Sequence, residues 1–329
     1  METVPADAAA FALAAALRDV RLVGDGLEFT VYRAKSPNHS HPDDVVLRIP
    51  KCDIFSNVND PNLSAKALLQ QELAICGLLE SSAVPVPRPI ELLEVEGRAA
   101  MLAQFVDSDG SDLSPRTLGH GLARLHLVEL PVGFTTVSCE GAGVLTTLPQ
   151  RIVRRLAEFR KFDPQLPNCL SEDILAFSIT NLKRFPSSLL HMDWRPANLR
   201  TRKGEIAAVV DFSNALVGPA AVEIYRVLEL LNPGLDFLLG YSELKPVPNL
   251  SRAEELCLRL DAAVMIALVF LSESPDAQLA SEKTLRARQL CEELEEELMG
   301  SDLLQYDEVA RGSGYSITGV SLRQRRSAF

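Results

Sequence analysis

The chain has 329 residues, 47% hydrophobic and 23% charged, with 33 Lys and Arg against 44 Asp and Glu, a formal charge of −11. This composition is globular, has apolar surface for about two domains or lobes, and excludes disorder over most of the length. The negative charge argues against nucleic acid or an anionic membrane as the main partner, since both recruit basic surfaces.

The first twenty residues carry an alanine-rich apolar run after acidic residues, with no basic leader. They read as an N-terminal amphipathic helix and not as a signal peptide. Three strands are predicted at Arg21–Val23, Glu28–Ala34 and Asp44–Ile49, with a polar insert, Ser36–Pro42, between the last two. His39 and His41 fall in that insert and read as loop residues. Leu68, Leu69, Leu73, Ile75, Leu78 and Leu79 keep a helical period over Leu63–Leu79, which Ser81 and Pro85 stop. Strands are expected again at about Ile90–Val95 and Ala99–Val106.

Asp107-Ser-Asp-Gly-Ser-Asp112 is the clearest linker. Helical patterns dominate beyond it: Pro115–Leu130, Leu148–Phe162, Ser171–Arg184, Ala220–Leu231, Arg252–Leu271 and Ala280–Leu298. Leu189–Phe212 interrupts them with two short β-like runs flanking polar loops. The chain therefore divides, by expectation, into an α+β N-terminal lobe (residues 1–106), a linker (107–112), a mainly helical lobe (113–311) and a polar tail (312–329). Six cysteines without a C-x-x-C spacing suit reduced thiols in a cytoplasmic protein. The longest apolar run, Ala262–Leu271, is about half the length of a bilayer span, so no membrane association is expected.

The chemistry is concentrated in His191-Met-Asp-Trp-Arg-Pro-Ala-Asn198, followed by Val209-Val-Asp211-Phe-Ser213. Phosphoryl transfer needs a carboxylate to take the proton of an attacking hydroxyl, and oxygen ligands to hold magnesium against nucleotide phosphates. Asp193 and Asn198 stand five apart on one loop. Asp211 ends an apolar strand, where its carboxylate emerges toward a metal. A Ser-His-Asp hydrolase is excluded, because no serine sits in a Gly-x-Ser-x-Gly elbow.

On these residues the sequence resembles the aminoglycoside phosphotransferase and choline kinase-like family, the small-molecule branch of the protein kinase-like fold. The family's pattern is HGDxHxxN, then a strand ending in IDF, with an LARLH helix upstream. Here these are His191–Asn198, Val210–Phe212 and Leu122–His126, with Gly218 and Glu223 where the family has a Gly and then an Asp. The resemblance runs from about Arg21 to Leu231. It implies a bilobal α+β fold with a small five-stranded antiparallel N-lobe, one long helix in that lobe, and a larger helical C-lobe.

The resemblance also implies roles. Asp193 is the base, and Asn198 and Asp211 are the Mg2+ ligands. Arg48 clamps the nucleotide phosphates, with Lys51 a weaker candidate, and Glu72 pairs with Arg48. Gly24, Gly26 and Phe29 belong to the phosphate loop, while Gln104 and Val106 belong to an interlobe hinge that holds a purine. His191 braces the catalytic loop, and His126 packs or caps a helix.

Arg195 stands where the family carries His, and could neutralise charge on the transferring phosphoryl group. Only about eight residues separate Asp211 from the next helix, too few for a peptide-docking segment, which favours a small acceptor. The following helices carry Glu223, Glu229, Asp236, Glu254, Glu255 and Asp261. These form either an acidic rim for an amine-bearing alcohol or the solvated faces of amphipathic helices.

The expected function is ATP- or GTP-dependent, Mg2+-dependent phosphorylation of a small hydroxylated metabolite. Two rivals remain: a degenerate kinase-fold protein that only binds nucleotide, and a biosynthetic enzyme that phosphorylates a hydroxyl transiently before elimination or cyclisation.

Overall fold

The computed structural model describes residues 5–59, 62–137, 143–166 and 170–300. The first helix, α1 (Ala6–Ala14), lies across one face of a sheet through Ala8 and Phe11, which join a core with Tyr32, Leu47 and Leu102. The sheet opens with β1 (Arg18–Asp25), β2 (Phe29–Lys35) and β3 (Asp44–Pro50). A two-residue pair, β4 (Ile54–Phe55) and β5 (Leu63–Ser64), leads into α2 (Ala65–Leu79), whose N-cap Ser64 accepts a hydrogen bond from the Ala67 amide. The strands β6 (Pro89–Val95) and β7 (Arg98–Gln104) then close the sheet in the order β1-β2-β3-β7-β6, antiparallel throughout.

The position of α2 follows from its apolar spacing. Leu68 and Leu69 pack on the second face of the sheet with Met101 and Ala103, while Ile75, Cys76 and Leu79 enter a separate core with Leu122, Val209 and Phe212. One helix thus joins the sheet to the rest of the molecule, and its middle residue Glu72 is left at the junction.

The chain then runs without regular structure to Ser114, which caps α3 (Pro115–His126). This segment is pinned: Ser108 Oγ bonds the Thr201 main chain, and Asp109 and Ser111 accept from the Lys203 and Gly204 amides. Next come α4 (Val144–Phe159), α5 (Glu172–Ser178) and a 3-10 turn at Thr180–Arg184. Strand β8 (Ser187–Leu190) precedes the loop carrying Asp193, a 3-10 turn (Pro196–Asn198) and the hairpin β9 (Leu199–Arg202) and β10 (Glu205–Val209). Strand β11 (Leu216–Pro219) pairs with β8. The helices α6 (Ala221–Leu231), α7 (Leu235–Ser242), α8 (Arg252–Leu268) and α9 (Ala277–Gly300) complete the described chain, with a π turn at Val269–Glu273. Among the described residues no helix is long and apolar enough to cross a membrane.

The structure differs from the predicted elements in several places. The first strand is longer, because Arg18–Asp25 pairs with β2 through two irregularities that a period of two does not show. The helix expected from Leu148 begins at Val144, with Pro149 inside it and not at its start. The run predicted over 171–184 breaks into α5 and a 3-10 turn, and α7, β4, β5 and β11 had no counterpart. The tail 312–329 lies outside the described residues. Helices α3 and α7 cross so closely that a Cβ on Gly119 would meet the Phe237 carbonyl oxygen at 2.0 Å, and one on Gly240 the Arg116 oxygen at 2.0 Å.

Candidate active site

The sheet and the helices enclose a cleft of about 1610 Å³, lined by both halves of the molecule. At its base Arg48, near the end of β3, reaches two carboxylates. It pairs with Glu72 of α2, and its other nitrogen donates to Asp211 at 2.6 Å and to Ser213 Oγ at 3.3 Å. The Phe29 ring stacks on the same guanidinium at 4.0 Å. Glu72 also accepts from the Asp211 amide at 3.2 Å. Burial alone would depress the charge on Arg48, but Asp211 and Glu72 outweigh it and raise its pKa. An unpaired guanidinium here would cost several kcal/mol, so the triad forms as a unit.

Asp211 follows β10 with a left-handed φ of 67°. Burial opposes its ionisation, yet the Arg48 charge and the Ser213 hydroxyl hold its pKa at about 2. Gln71 fixes this turn by donating to the Phe212 and Ser213 carbonyls at 2.9 and 3.2 Å.

The loop after β8 is held from three sides. His191 is buried between Trp194 and Phe212; its Nε2 donates to the Val210 carbonyl and its Nδ1 accepts from the Asp193 amide, a pattern that requires the neutral ring. Asn198 Nδ2 donates to the Asp193 carboxylate at 2.7 Å, which turns its Oδ1 away from that bond. Arg195, half exposed, pairs with the same carboxylate at 2.9 Å.

The third support is Glu223, fully buried in the first turn of α6. Its oxygens accept from the amides of His191 at 2.9 Å and Met192 at 2.5 Å, and from His126 Nε2 at 2.9 Å. His126 Nδ1 in turn meets the Tyr241 hydroxyl at 3.0 Å. Burial works against the ionised Glu223, but these donors outweigh it and lower its pKa; burial also lowers that of His126, which stays neutral. Met192 needs the support, since it stands at φ 65° where the family pattern has glycine.

The remaining predicted residues also line the cleft. Gly24 lies near the end of β1 and Gly26 opens the β1–β2 turn, closed by Gly26 N to Phe29 O at 2.9 Å, and neither needs a positive φ. Lys51 pairs with Asp25 at 2.9 Å at the exposed rim. Gln104 ends β7; its amide donates to the Arg88 carbonyl, whereas the main chain of Val106 bonds to no described residue. Ionised Asp211 and the Asn198 amide oxygen are hard oxygen donors, which fits a magnesium ion.

Of the acidic residues of the later helices, Asp236 is solvated as expected, but most of the others lie on neither an acidic rim nor a solvated face. Glu254 caps α8 and binds Arg184, Glu229 pairs with Arg259 and Arg286, and Asp261 is buried against Arg151 and Arg155. With Glu223 beneath the loop and Glu255 paired with Arg259 at 2.9 Å, five of the six acids have partners within the protein, which leaves no acidic rim. The signal missed in Glu223 was its neighbourhood: Ala221, Val222, Ile224 and Val227 form a buried face, on which an acid must be paired.

A five-stranded antiparallel sheet over a helical body, joined by a helix that carries the carboxylate for a basic strand residue, is the protein kinase-like fold, and its short post-Asp211 connection marks the small-molecule branch. The sequence matches the Phosphotransferase enzyme family over residues 19–255, and the chain belongs to that family. It is a small-molecule kinase. No curated protein matches the sequence. Among solved structures, it is similar to the gentamicin complex of APH(2″)-IIa (15% identity, TM-score 0.61, covering 89% of this chain and 99% of that one). The streptomycin–ATP complex of the same enzyme gives 14% identity and TM-score 0.58 over the same shares. A thermostable mutant of APH(4)-Ia with AMP-PNP and hygromycin B gives 15% and 0.56, covering 84% and 94%. At these identities the likeness shows the fold.

Proposed function

We propose that this protein transfers the γ-phosphoryl group of ATP or GTP to a hydroxyl of a small molecule. The observation that carries the reading is the meeting of Asp193, Asn198 and Asp211 at the base of one cleft, with Arg48 beside Asp211. The acceptor hydroxyl gives its proton to Asp193; its oxygen bonds to phosphorus as the bond to the β,γ-bridging oxygen breaks, and the nucleoside diphosphate leaves. Asn198 and Asp211 would hold Mg2+, which supplies charge neutralisation on the phosphates when bound. Arg48 steadies Asp211 and offers a fixed positive charge to the phosphate chain. The turn at Gly24–Phe29 covers the phosphates, and the free main-chain groups of Val106 suit a purine edge.

Arg195 occupies Asp193 in this structure and swings to the phosphoryl oxygens once nucleotide is present. Residues 1–106 act as the nucleotide lobe, 107–112 as the linker that continues the hinge, and 113–311 as the acceptor lobe. The test is D193A: transfer is abolished while the magnesium-dependent thermal shift with nucleotide persists. Turnover that survives this change removes Asp193 from the base role.

A further inference from the structure

One cation of the cleft stands apart from the rest. Arg48, Lys51, Arg151, Arg155, Arg195 and Lys283 each pair with a carboxylate, and the charge of Arg226 acts on Asp261. Arg200 lines the same cleft, half-buried, and its guanidinium has neither a hydrogen bond nor an ion pair among the described residues. Its place on β9 is fixed on both sides. Leu199 turns into the core beneath, so the alternation of the strand turns Arg200 to the cleft, opposite Ala208 of β10. Thr201 is pinned to the chain just beyond Val106. Its amide donates to Ser108 Oγ at 3.0 Å, and its carbonyl accepts from Ser108 Oγ at 3.1 Å and from the Asp109 amide at 3.0 Å. Arg200 is thereby held at the interlobe end of the cleft, where the main chain of Val106 bonds to no described residue.

The sheet forms the other wall of this end. Tyr32, Leu47 and Leu102 point toward α1, and the alternate positions Val31, Val46 and Ala103 line the cleft. A ligand between aliphatic carbon and an unpaired guanidinium must be apolar on one face and attract a cation on the other. A flat heteroaromatic ring does both, since its π face attracts a guanidinium and its opposite face packs on valine and alanine. The protein already uses this contact internally: Arg48 stacks on Phe29 at 4.0 Å and Arg33 on Phe105 at 4.1 Å.

We propose that Arg200 is a base-binding residue of the nucleotide site. Its guanidinium lies on one face of the purine, Val31 and Val46 cover the other, and Val106 meets the edge. The contact is with the ring and not with the phosphates, which belong to Arg48 and the metal ligands. This inference deepens the phosphotransferase reading and rests on it.

The test is calorimetry on the full chain with magnesium, using ATP, GTP and inorganic tripolyphosphate against the unaltered protein, R200Q and R200F. R200Q should weaken both nucleotides about tenfold, the scale of a partly desolvated cation–π contact, and leave tripolyphosphate binding unchanged. R200F gives up the charge but keeps a stacking face, and should bind both nucleotides within about threefold of the unaltered protein. Since the guanidinium has no partner to lose, both variants should melt with the unaltered protein in the absence of ligand. Weaker tripolyphosphate binding in R200Q would place Arg200 on the phosphates, unchanged nucleotide binding in R200Q would remove it from the site, and a loss in R200F as deep as in R200Q would exclude stacking; each overturns the proposal. Failure of the unaltered protein to bind either nucleotide instead sinks the phosphotransferase reading, and this inference with it.

Discussion

Replacing Glu223 by glutamine keeps the shape and removes one charge from beneath the catalytic loop. The carboxylate accepts three buried donors: the amides of His191 and Met192, and His126 Nε2. An amide offers one oxygen. With it toward Met192, the NH2 faces the His191 amide; with it toward His191, the NH2 faces the Met192 amide. His126 can change tautomer, because the Tyr241 hydroxyl can accept as well as donate, but a backbone amide cannot. One N–H is therefore orphaned in either orientation, which costs about 1–3 kcal/mol, and the surviving bonds lose their charge assistance.

E223Q should accordingly lose about 2–4 kcal/mol in urea unfolding, at about 2–4 °C of melting temperature per kcal/mol. The loop that carries Asp193 loosens, and since a misplacement of about 1 Å can cost a hundredfold, kcat should fall at least tenfold. Nucleotide affinity should hold, because Arg48 and Glu72 are untouched.

The pH dependence has a definite sign. Glu223 is depressed in the folded state, so its contribution is present above the unfolded pKa of about 4.5 and is lost as pH falls through the folded value. His126 is depressed too, which makes acid below its unfolded pKa of about 6.5 unfavourable to the fold. The stability margin of the unaltered protein over E223Q should therefore hold down to about pH 4.5 and shrink below it, as Glu223 is protonated. A margin under 1 kcal/mol at pH 7, with kcat unchanged, would refute the bracing role.

Other changes test separate parts of the reasoning. At Met192 the usual order of substitutions should invert: M192G loses the same buried side chain as M192A but sheds the left-handed penalty of about 1–2 kcal/mol, so the glycine variant should unfold at higher urea. G240A forces a Cβ toward the Arg116 carbonyl at the α3–α7 crossing and should cost about 1–3 kcal/mol in denaturant without changing KM for nucleotide. D211N should bind nucleotide equally with and without magnesium in calorimetry; a retained magnesium dependence would move the metal elsewhere.

The chemistry-bearing loop was legible because phosphoryl transfer constrains residue type and spacing together, and Asp193, Asn198 and Asp211 do converge. So was most of the sheet, whose strands are short β-prone runs bounded by turn residues. What sequence could not show were polar residues acting across the fold. Gln71 looks like an ordinary helix residue until Phe212 arrives from 141 positions away, whereas the expected pairing of Glu72 with Arg48 is present. Short elements escaped for a different reason: α7 has eight residues, too few for its period to stand out from Pro233 and Gly234.

The acids of the later helices bear most directly on substrate. Counting carboxylates along α6 and α8 suggests a pocket for amines, but charge acts in space, and each carboxylate must be counted with the partners that fold onto it. Asp261 is the sharpest case. Burial would push its pKa up, yet Arg151 and Arg155 hold it at about 2, so it remains fully ionised and saturated by guanidiniums. A carboxylate in that state has little attraction left for a substrate ammonium. The acid that a linear reading assigns to an amine acceptor is therefore spent on arginines inside the protein.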